Sequence, residues 1–510
     1  MRRLLLLIAV LALLAGCEHG GAAGPHGAAT STDSRSPLSG PFGSGSPASS
    51  PAGSADLAGS AWRIPKSAEG GIEGYADHTS VLPGQAVRLF VSTPAREFVV
   101  RAFRMGWYRG AEGRLTWTSR ATRGTVQHSA VLSAPATNTM SAPWTPSTTV
   151  STSGWEPGDY LLRLDASTRH ESFVPLTVRA PSAAGRVVLV NAVTTWQAYN
   201  LWGCCDLYNG ADGSFDTRSR AVSFDRPYAA NDGSGEFIKR ELPAVAQAER
   251  LGLSLAYVTD VDLEADPHVL DGARAVISMG HDEYWSPQMR AVVTAARDAG
   301  ANLAFLGANA IFRRIRLAST ALGPYRLEIN YKVASEDPLN GTDNAEVTAN
   351  WPDTPHADPE SALLGDQYGC FPGRTRVPGV VVDPGNWLFA GTHVTPGMQL
   401  PGLVGPETDA VQLGYPTPRP IEVLLHSPTH CPNDTPTHAD ASYYVARSGA
   451  GVFDAGTIDW VCAIDAECYG SGPTQRVVRQ VTDNLLTAFA RGPVGRTHPV
   501  RDNLAALGIS

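Results

Sequence analysis

Residues 275–286 read Ala-Val-Ile-Ser-Met-Gly-His-Asp-Glu-Tyr-Trp-Ser, and few folds can hold such a segment. A short β-branched run closed by glycine reads as a buried strand, and Ser286-Pro287 supplies an N-cap and a first-turn proline for a helix through Arg297. Strand, elbow and helix in that order form the repeating unit of an α/β sheet. The elbow carries His281, Asp282 and Glu283. In open α/β sheets ligands bind outside the carboxyl ends of the strands, so three titratable groups at that end are placed to meet a substrate. The plainer reading has His281 and Asp282 capping the helix, since carboxylates favour helix N-termini.

The same grammar surrounds this segment. Strands are read at 186–191, 254–258 and 301–306, helices at 242–251 and 477–491, and further regular structure at 421–426 and 449–457. Alternation of this kind implies a parallel sheet with right-handed crossovers. Residues 347–420, rich in Pro, Gly and Asp, interrupt it and read as an insertion or a small irregular subdomain. Ahead of the alternation, short strands at 86–92, 97–103 and 158–164 suggest a β-sandwich. The expected organisation is therefore an all-β, sandwich-like domain at 61–180 followed by an α/β domain at 181–510. The aromatic cluster Met105-Gly-Trp-Tyr-Arg-Gly110 is assigned to packing between the two.

At the start, Arg2 and Arg3 precede an apolar run at 4–15 that is short for a bilayer span and shaped like a signal-peptide core. It closes in Leu14-Ala-Gly-Cys17, which resembles a bacterial lipobox and implies cleavage before Cys17 with a lipid on its sulfur. The mature chain is then exported and anchored to the cell membrane. Residues 18–60 are dominated by Gly, Ala, Ser and Pro and read as a flexible tether. The net charge of −9 and the lack of a later basic run exclude nucleic acid as a partner.

Of seven cysteines, six remain after Cys17, an even number that suggests disulfides in an exported protein. Cys462 with Cys468 is the simplest local pair and Cys370 with Cys431 the simplest long one, whereas the adjacent Cys204-Cys205 has no obvious place. No CxxC spacing occurs, which argues against a thiolate metal site.

Several motifs converge on a family. Thr195-Trp-Gln-Ala-Tyr-Asn200, Asp206-Leu-Tyr208, Ser223-Phe-Asp-Arg-Pro-Tyr228, Val258-Thr-Asp-Val-Asp-Leu263, Gly280-His-Asp-Glu-Tyr-Trp-Ser286 and Gly307-Ala-Asn-Ala310 together resemble the large (β) subunit of N,N-dimethylformamidase and its relatives. Gly74-Tyr-Ala76, Ser80-Val-Leu-Pro-Gly84 and Arg104-Met-Gly-Trp-Tyr108 resemble that family's preceding module, so the likeness runs from about Trp62 to Arg491. It implies an α/β domain similar to glutamine amidotransferases, with thiol chemistry replaced by a mononuclear iron held by two tyrosines and a glutamate. The elbow is consistent with that replacement, since it offers Met279-Gly280-His281 where an amidotransferase needs a cysteine nucleophile.

Carried over, Glu283 matches the carboxylate ligand and Tyr199 the first phenolate. Tyr208 matches the second, with Tyr228 as the competing choice because the loop after Tyr199 is short and holds Cys204-Cys205. His281 and Asn309 match the groups flanking the metal, where His281 would move a proton and Asn309 would orient a carbonyl oxygen. Such hard oxygen donors suit Fe(III). The implied activity is hydrolysis of carbon–nitrogen bonds other than peptide bonds, in small linear amides, and the dimethylformamidase works with a small partner subunit. A reading from another class makes the chain a non-catalytic surface protein that binds an envelope polymer or protein; the two differ in whether Tyr199, Tyr208 and Glu283 converge. Asp260 and Asp262 read as caps at a strand end, and Glu407 and Asp409 as carboxylates of the irregular segment able to approach the site.

The lipobox makes a direct prediction. Intact-mass analysis of membrane-extracted protein is expected to show a chain beginning at a lipidated Cys17, and an unmodified cysteine or a different start would reject the anchor.

Overall fold

Every residue of the strands Val187–Asn191, Ala275–Met279, Asn302–Leu306 and Gly451–Asp454 is buried, the pattern of a sheet covered on both faces. These strands appear in a computed structural model that describes residues 61–373 and 375–509. The lipobox and tether, residues 1–60, lie outside the described residues. Among the described residues no helix is long and apolar enough to cross a membrane.

The central sheet has seven strands in the order Leu255–Thr259, Val187–Asn191, Ala275–Met279, Asn302–Leu306, Gly451–Asp454, Pro436–Val445, Ile421–His430. The first five pair in parallel. One face packs Leu189, Ile277, Ala304 and Phe453 against the helices Leu242–Arg250 and Pro473–Phe489. The other packs Val190, Val276, Leu303 and Val452 against Pro287–Asp298. Each fully buried aliphatic side chain contributes about 1.5–3 kcal/mol, so the sheet is the main apolar core. By chain position the parallel strands lie second, first, third, fourth, fifth. The chain therefore leaves the first and third strands in opposite directions, and a crevice opens between the carboxyl ends of Val187–Asn191 and Ala275–Met279.

One expectation needs correction. The sheet is not wholly parallel, because Ile421–His430 and Pro436–Val445 form an antiparallel hairpin and Pro436–Val445 is antiparallel to Gly451–Asp454. Only five residues, 431–435, join the hairpin strands, too few for the crossover that parallel strands need. A further three-stranded sheet, Ala221–Ser223, Gly323–Ile329 and Arg316–Thr320, lies where no strand was assigned from the sequence. Residues 347–420 carry two small ladders, Gln367–Cys370 with Thr408–Ala410 and Val377–Val380 with Gln399–Val404, and two short helical turns, Ser361–Leu364 and Trp387–Phe389.

The N-terminal strands form three sheets, a three-stranded antiparallel one (Glu73–Ala76, Ala86–Ser92, Thr148–Ser151), a six-stranded one containing Glu97–Met105, Gly158–Ala166 and Glu171–Val178, and a small hairpin of Val131–Ala134 with Thr139–Ser141. Val87 and Leu89 of the first share a core with Val100, Leu162 and Val174 of the second. Contacts to the α/β part are specific. Asp262 closes a capping box with Thr259 and also accepts from Ser80 Oγ at 2.5 Å and pairs with Arg179 at 3.2 Å. Glu249 pairs with Arg104 at 2.6 Å and accepts from the Trp107 amide at 3.0 Å, so the aromatic cluster at 105–110 is a packing element.

Glycines set how closely the strand ends approach. Gly280 has φ +60°, and a Cβ there would strike the Arg240 carbonyl oxygen. A Cβ on Gly307 would overlap the Gly280 carbonyl oxygen. The helix that follows Gly280 begins where expected, with Ser286 Oγ accepting from the Met289 amide at 3.1 Å.

Disulfides join Cys370 to Cys431, Cys462 to Cys468, and the neighbours Cys204 and Cys205. Thiol labelling of the unreduced protein is expected to modify none of the six, and removing Cys370–Cys431 should cost about 2–4 kcal/mol. Gly307→Ala should destabilise by about 1–3 kcal/mol in urea titration, the usual cost of overpacking; an unchanged midpoint would show that the strand ends have room to separate.

Candidate metal centre

The helix Val193–Ala198 rises from the first strand of the crevice with all six residues buried, and Tyr199 follows at its C-cap. Two threonines of that helix tie it to the elbow. Thr195 Oγ1 accepts from the Glu283 amide at 2.9 Å, and Thr194 Oγ1 donates to the Tyr284 carbonyl at 2.8 Å. Asp260 lies behind them and accepts from the Thr194 amide at 3.0 Å. Asp282 is equally occupied, accepting from Ser278 Oγ at 2.7 Å and Trp285 Nε1 at 2.6 Å. Asp260, Asp262 and Asp282 thus brace the fold, in line with the capping reading.

The loop after Tyr199 turns back at once. The Leu207 amide donates to the Ala198 carbonyl at 3.0 Å, and Asp206 Oδ1 accepts from the Tyr208 amide at 2.8 Å. Buried Arg226 donates to the carbonyls of Trp202 at 3.1 Å and Cys205 at 3.0 Å. This return stacks the rings of Tyr199 and Tyr208, 4.7 Å apart and 23° from parallel.

Three oxygen-bearing side chains meet here. Tyr199 Oη lies 2.6 Å from Glu283 Oε2 and 2.9 Å from Tyr208 Oη, and Tyr208 Oη lies 2.8 Å from Glu283 Oε1. Glu283 is wholly buried. Arg313 Nε donates to Glu283 Oε1 at 3.1 Å, and His281 Nε2 is 3.4 Å from Glu283 Oε2 and 3.2 Å from Glu407 Oε2. His281 Nε2 meets neither oxygen in hydrogen-bond geometry. Asn309, held at φ +57°, donates from its amide to Asp409 at 2.8 Å and from Nδ2 to Glu407 at 3.2 Å, while its Oδ1 has no partner.

The electrostatics follow from burial and charge. Burial would raise the Glu283 carboxyl, but His281, Arg313 and Lys332 outweigh it and hold it below its ordinary range. Burial would lower His281, yet Glu407 and Glu283 push it up to about 10, so the two carboxylates favour its charged form. Burial and the Glu283 charge push both Tyr199 and Tyr208 upwards. Two phenol oxygens and a carboxylate together offer the hard oxygen lone pairs that a hard cation prefers. Among the described residues no three His, Cys, Asp or Glu side chains are arranged to hold a metal, so a centre here must draw on the tyrosines.

Tyr199, Tyr208, Glu283 and His281 therefore come together, with Asn309 joined through Glu407. Tyr228 packs elsewhere, edge-on to Trp196 with centroids 6.1 Å apart. Glu407, left unplaced by the sequence, reaches His281 from the insertion. Arg313 and Lys332 were missed. Lys332 is buried, its Nζ 3.6 Å from the Tyr208 ring centroid and bonded to Tyr284 Oη. Its one sequence signal was rarity, since it is one of three lysines in the chain.

No curated protein matches this chain. Among solved structures it is similar to the Paenibacillus sp. cycloisomaltooligosaccharide glucanotransferase complexed with cycloisomaltoheptaose, at 10% identity and a TM-score of 0.15. That match covers 52% of this chain and 34% of the other, and a likeness of this size carries no argument. The family comparison is of another order. Residues 99–473 match the N,N-dimethylformamidase beta subunit-like, C-terminal family, and the chain belongs to that family.

Proposed function

We propose that this protein hydrolyses carbon–nitrogen bonds of small linear amides at a mononuclear iron site formed by Tyr199, Tyr208 and Glu283. Family membership supports an amidohydrolase. The observation that carries the reading is the meeting of two phenol oxygens and a carboxylate within 2.6–2.9 Å of one another. A surface protein that only binds a polymer has no reason to bury a carboxylate beneath two tyrosines. We read the parallel sheet as the amidotransferase-like scaffold that the resemblance implies, and the chain as exported and lipid-anchored at Cys17. Work with a small partner subunit belongs to the same proposal.

Fe(III) held by these hard donors would supply Lewis acidity toward an amide carbonyl. The remaining chemistry belongs to the chain's own groups. Glu407, within 3.2 Å of both His281 Nε2 and Asn309 Nδ2, is placed to accept a proton from an attacking water. His281, protonated between two carboxylates, can deliver its Nε2 proton to the departing amine nitrogen. Because Asn309 Nδ2 is already given to Glu407, the role expected of Asn309 changes: its unpartnered Oδ1 can accept from a substrate N–H rather than orient a carbonyl oxygen. His281 and Arg313 favour the ionised form of Glu283.

Purified protein is expected to contain stoichiometric iron and a visible phenolate-to-iron absorption band. Tyr199→Phe and Glu283→Gln should each lose most of the metal with the far-ultraviolet circular dichroism unchanged. His281→Ala should keep the iron and lose roughly 10²–10⁴-fold in amide hydrolysis. Protein that takes up no iron, or a Tyr199→Phe variant that retains both metal and colour, would end this reading.

A further inference from the structure

Cys204 and Cys205 are neighbours in the chain and are bonded to each other, so their disulfide closes a small ring around one peptide bond in the return from Tyr199 to Tyr208. Its two halves differ in environment. Cys205 is 1% exposed, whereas Cys204 faces solvent. Among the described residues Cys204 is also the one cysteine with a left-handed backbone, at φ +132°. A residue with a side chain adopts that region at a cost, and keeps it only where its surroundings impose it. The ring imposes it here, with help from the Cys204 amide, which donates to the Leu201 carbonyl at 3.1 Å.

Both sides of the ring lead to the tyrosines. Buried Arg226 donates to the Cys205 carbonyl at 3.0 Å and to the Trp202 carbonyl at 3.1 Å. Asp206, the next residue, accepts from the Tyr208 amide at 2.8 Å and the Asn209 amide at 2.7 Å. On the other side Asn200, which follows Tyr199, accepts from the Trp202 amide at 3.1 Å. If Cys204 left its φ, the Cys205 carbonyl would turn away from Arg226 and the Asp206 turn that presents Tyr208 would move with it. Glu283 is held apart from this path, by Thr195 at its amide and by Arg313 at its carboxylate.

We propose that the Cys204–Cys205 disulfide is a thiol-reducible latch: closed, it holds Tyr208 stacked on Tyr199 and facing Glu283, and open, it lets Tyr208 leave. Its consequence, retention of a hard cation by the oxidised protein and loss on reduction, rests on the metal-site reading; the latch does not. The reductant is a dithiol. One of its thiolates attacks the exposed Cys204 sulfur, forming a mixed disulfide, and the electron pair of the broken bond leaves on the Cys205 sulfur, which takes up a proton. The second thiolate then attacks the dithiol's own sulfur in the mixed disulfide, and the Cys204 thiolate departs and is protonated. The dithiol becomes a cyclic disulfide, and its electron pair and protons have passed to the protein. The hydrogen bonds of Arg226 go to the Gln197 side chain and to backbone carbonyls, none to a carboxylate, so its charge is free to favour a thiolate forming at Cys205. Exposed disulfides in a strained backbone are the labile kind.

The test uses the full mature chain and gallium(III), a hard ion that thiols do not reduce. With limiting dithiothreitol, then alkylation and peptide mass mapping, Cys204 and Cys205 are expected to be labelled before the other four cysteines. Reduced protein freed of dithiothreitol should bind gallium, in competition with nitrilotriacetate, about tenfold to a hundredfold more weakly than oxidised protein. Its ultraviolet phenolate difference band should shrink while the far-ultraviolet circular dichroism stays unchanged, and reoxidation should restore the band. In metal-free protein, reduction should speed hydrogen exchange several-fold at 199–210 and leave the strand 275–279 unaffected. The double variant Cys204→Ser, Cys205→Ser should match the reduced protein and ignore dithiothreitol; if it does not fold, reduced native protein carries the comparison. Should the oxidised protein take up no gallium, the metal site fails by itself, and faster exchange on reduction still upholds the latch. Exchange at 199–210 that ignores reduction, equal gallium affinity in both forms, or a Cys204–Cys205 bond that outlasts the other two would overturn the proposal.

Discussion

The buried charge of Glu283 is the constraint to which the rest of the site answers. Taking an isolated carboxylate out of water is among the most expensive steps a fold can take, and it is tolerated only where donors and opposite charge replace the hydration lost. Here Tyr199, Tyr208 and Arg313 all reach its two oxygens, and His281 stands 3.4 Å away. The Glu283 backbone is bound as well, its amide to Thr195 and its carbonyl to the Arg313 amide at 2.8 Å. One side chain thus gathers the first crossover helix, the elbow and the segment after the fourth strand. Take it away, and the tyrosines lose the acceptor that orders them.

That gathering is possible only where the parallel strands change direction. Between Val187–Asn191 and Ala275–Met279 the connections leave on opposite sides, so the carboxyl ends carry loops with space between them. The loops still have to come within a few ångströms. Gly280 and Gly307 let them, because any side chain at either position would strike a neighbouring backbone carbonyl. The Thr457 amide donates to the Gly307 carbonyl at 3.0 Å, and the Asp409 amide to the Gly456 carbonyl at 3.2 Å. Through these bonds the insertion delivers Glu407 to His281, which explains how a carboxylate in an irregular segment faces the elbow.

Local patterns carried much of this. The strand at 275–279, the cap at Ser286 and the helix behind it were legible because each is set by neighbouring residues, and the pairs Cys462–Cys468 and Cys370–Cys431 because the cysteine count was even and these were the simplest local and long pairings. The Tyr199, Tyr208 and Glu283 set came from a family resemblance; no local signal distinguishes Tyr208 from Tyr228. The choice turns on which way the short loop folds, and that depends on Arg226, a residue whose partners are the backbone carbonyls of a distant turn. Arg313 and Lys332 escaped for the same reason. The sheet at 221–223 and 316–329 was hidden by its arginines, which are buried or half-buried with partners such as Asp225 and Asp337. Their polarity reads as exposure until those partners are seen.

The loop between the tyrosines shows how the two phenols are held. A return from Tyr199 to Tyr208 within nine residues leaves little slack, and several constraints remove what remains. Cys204 and Cys205 are joined to each other, Arg226 clamps two carbonyls from within, and Asn200 Nδ2 donates to the Pro227 carbonyl at 2.8 Å. None of these groups touches Glu283. They set the positions of two phenol oxygens whose own bonds to the carboxylate could be made from many loop shapes. Side chains ordered this way would lose little conformational entropy if a cation bound them, so more of the binding free energy would appear as affinity. The vicinal cysteines, which had no evident role in the sequence, thus fall into place as part of the scaffold that fixes the spacing of Tyr199 and Tyr208.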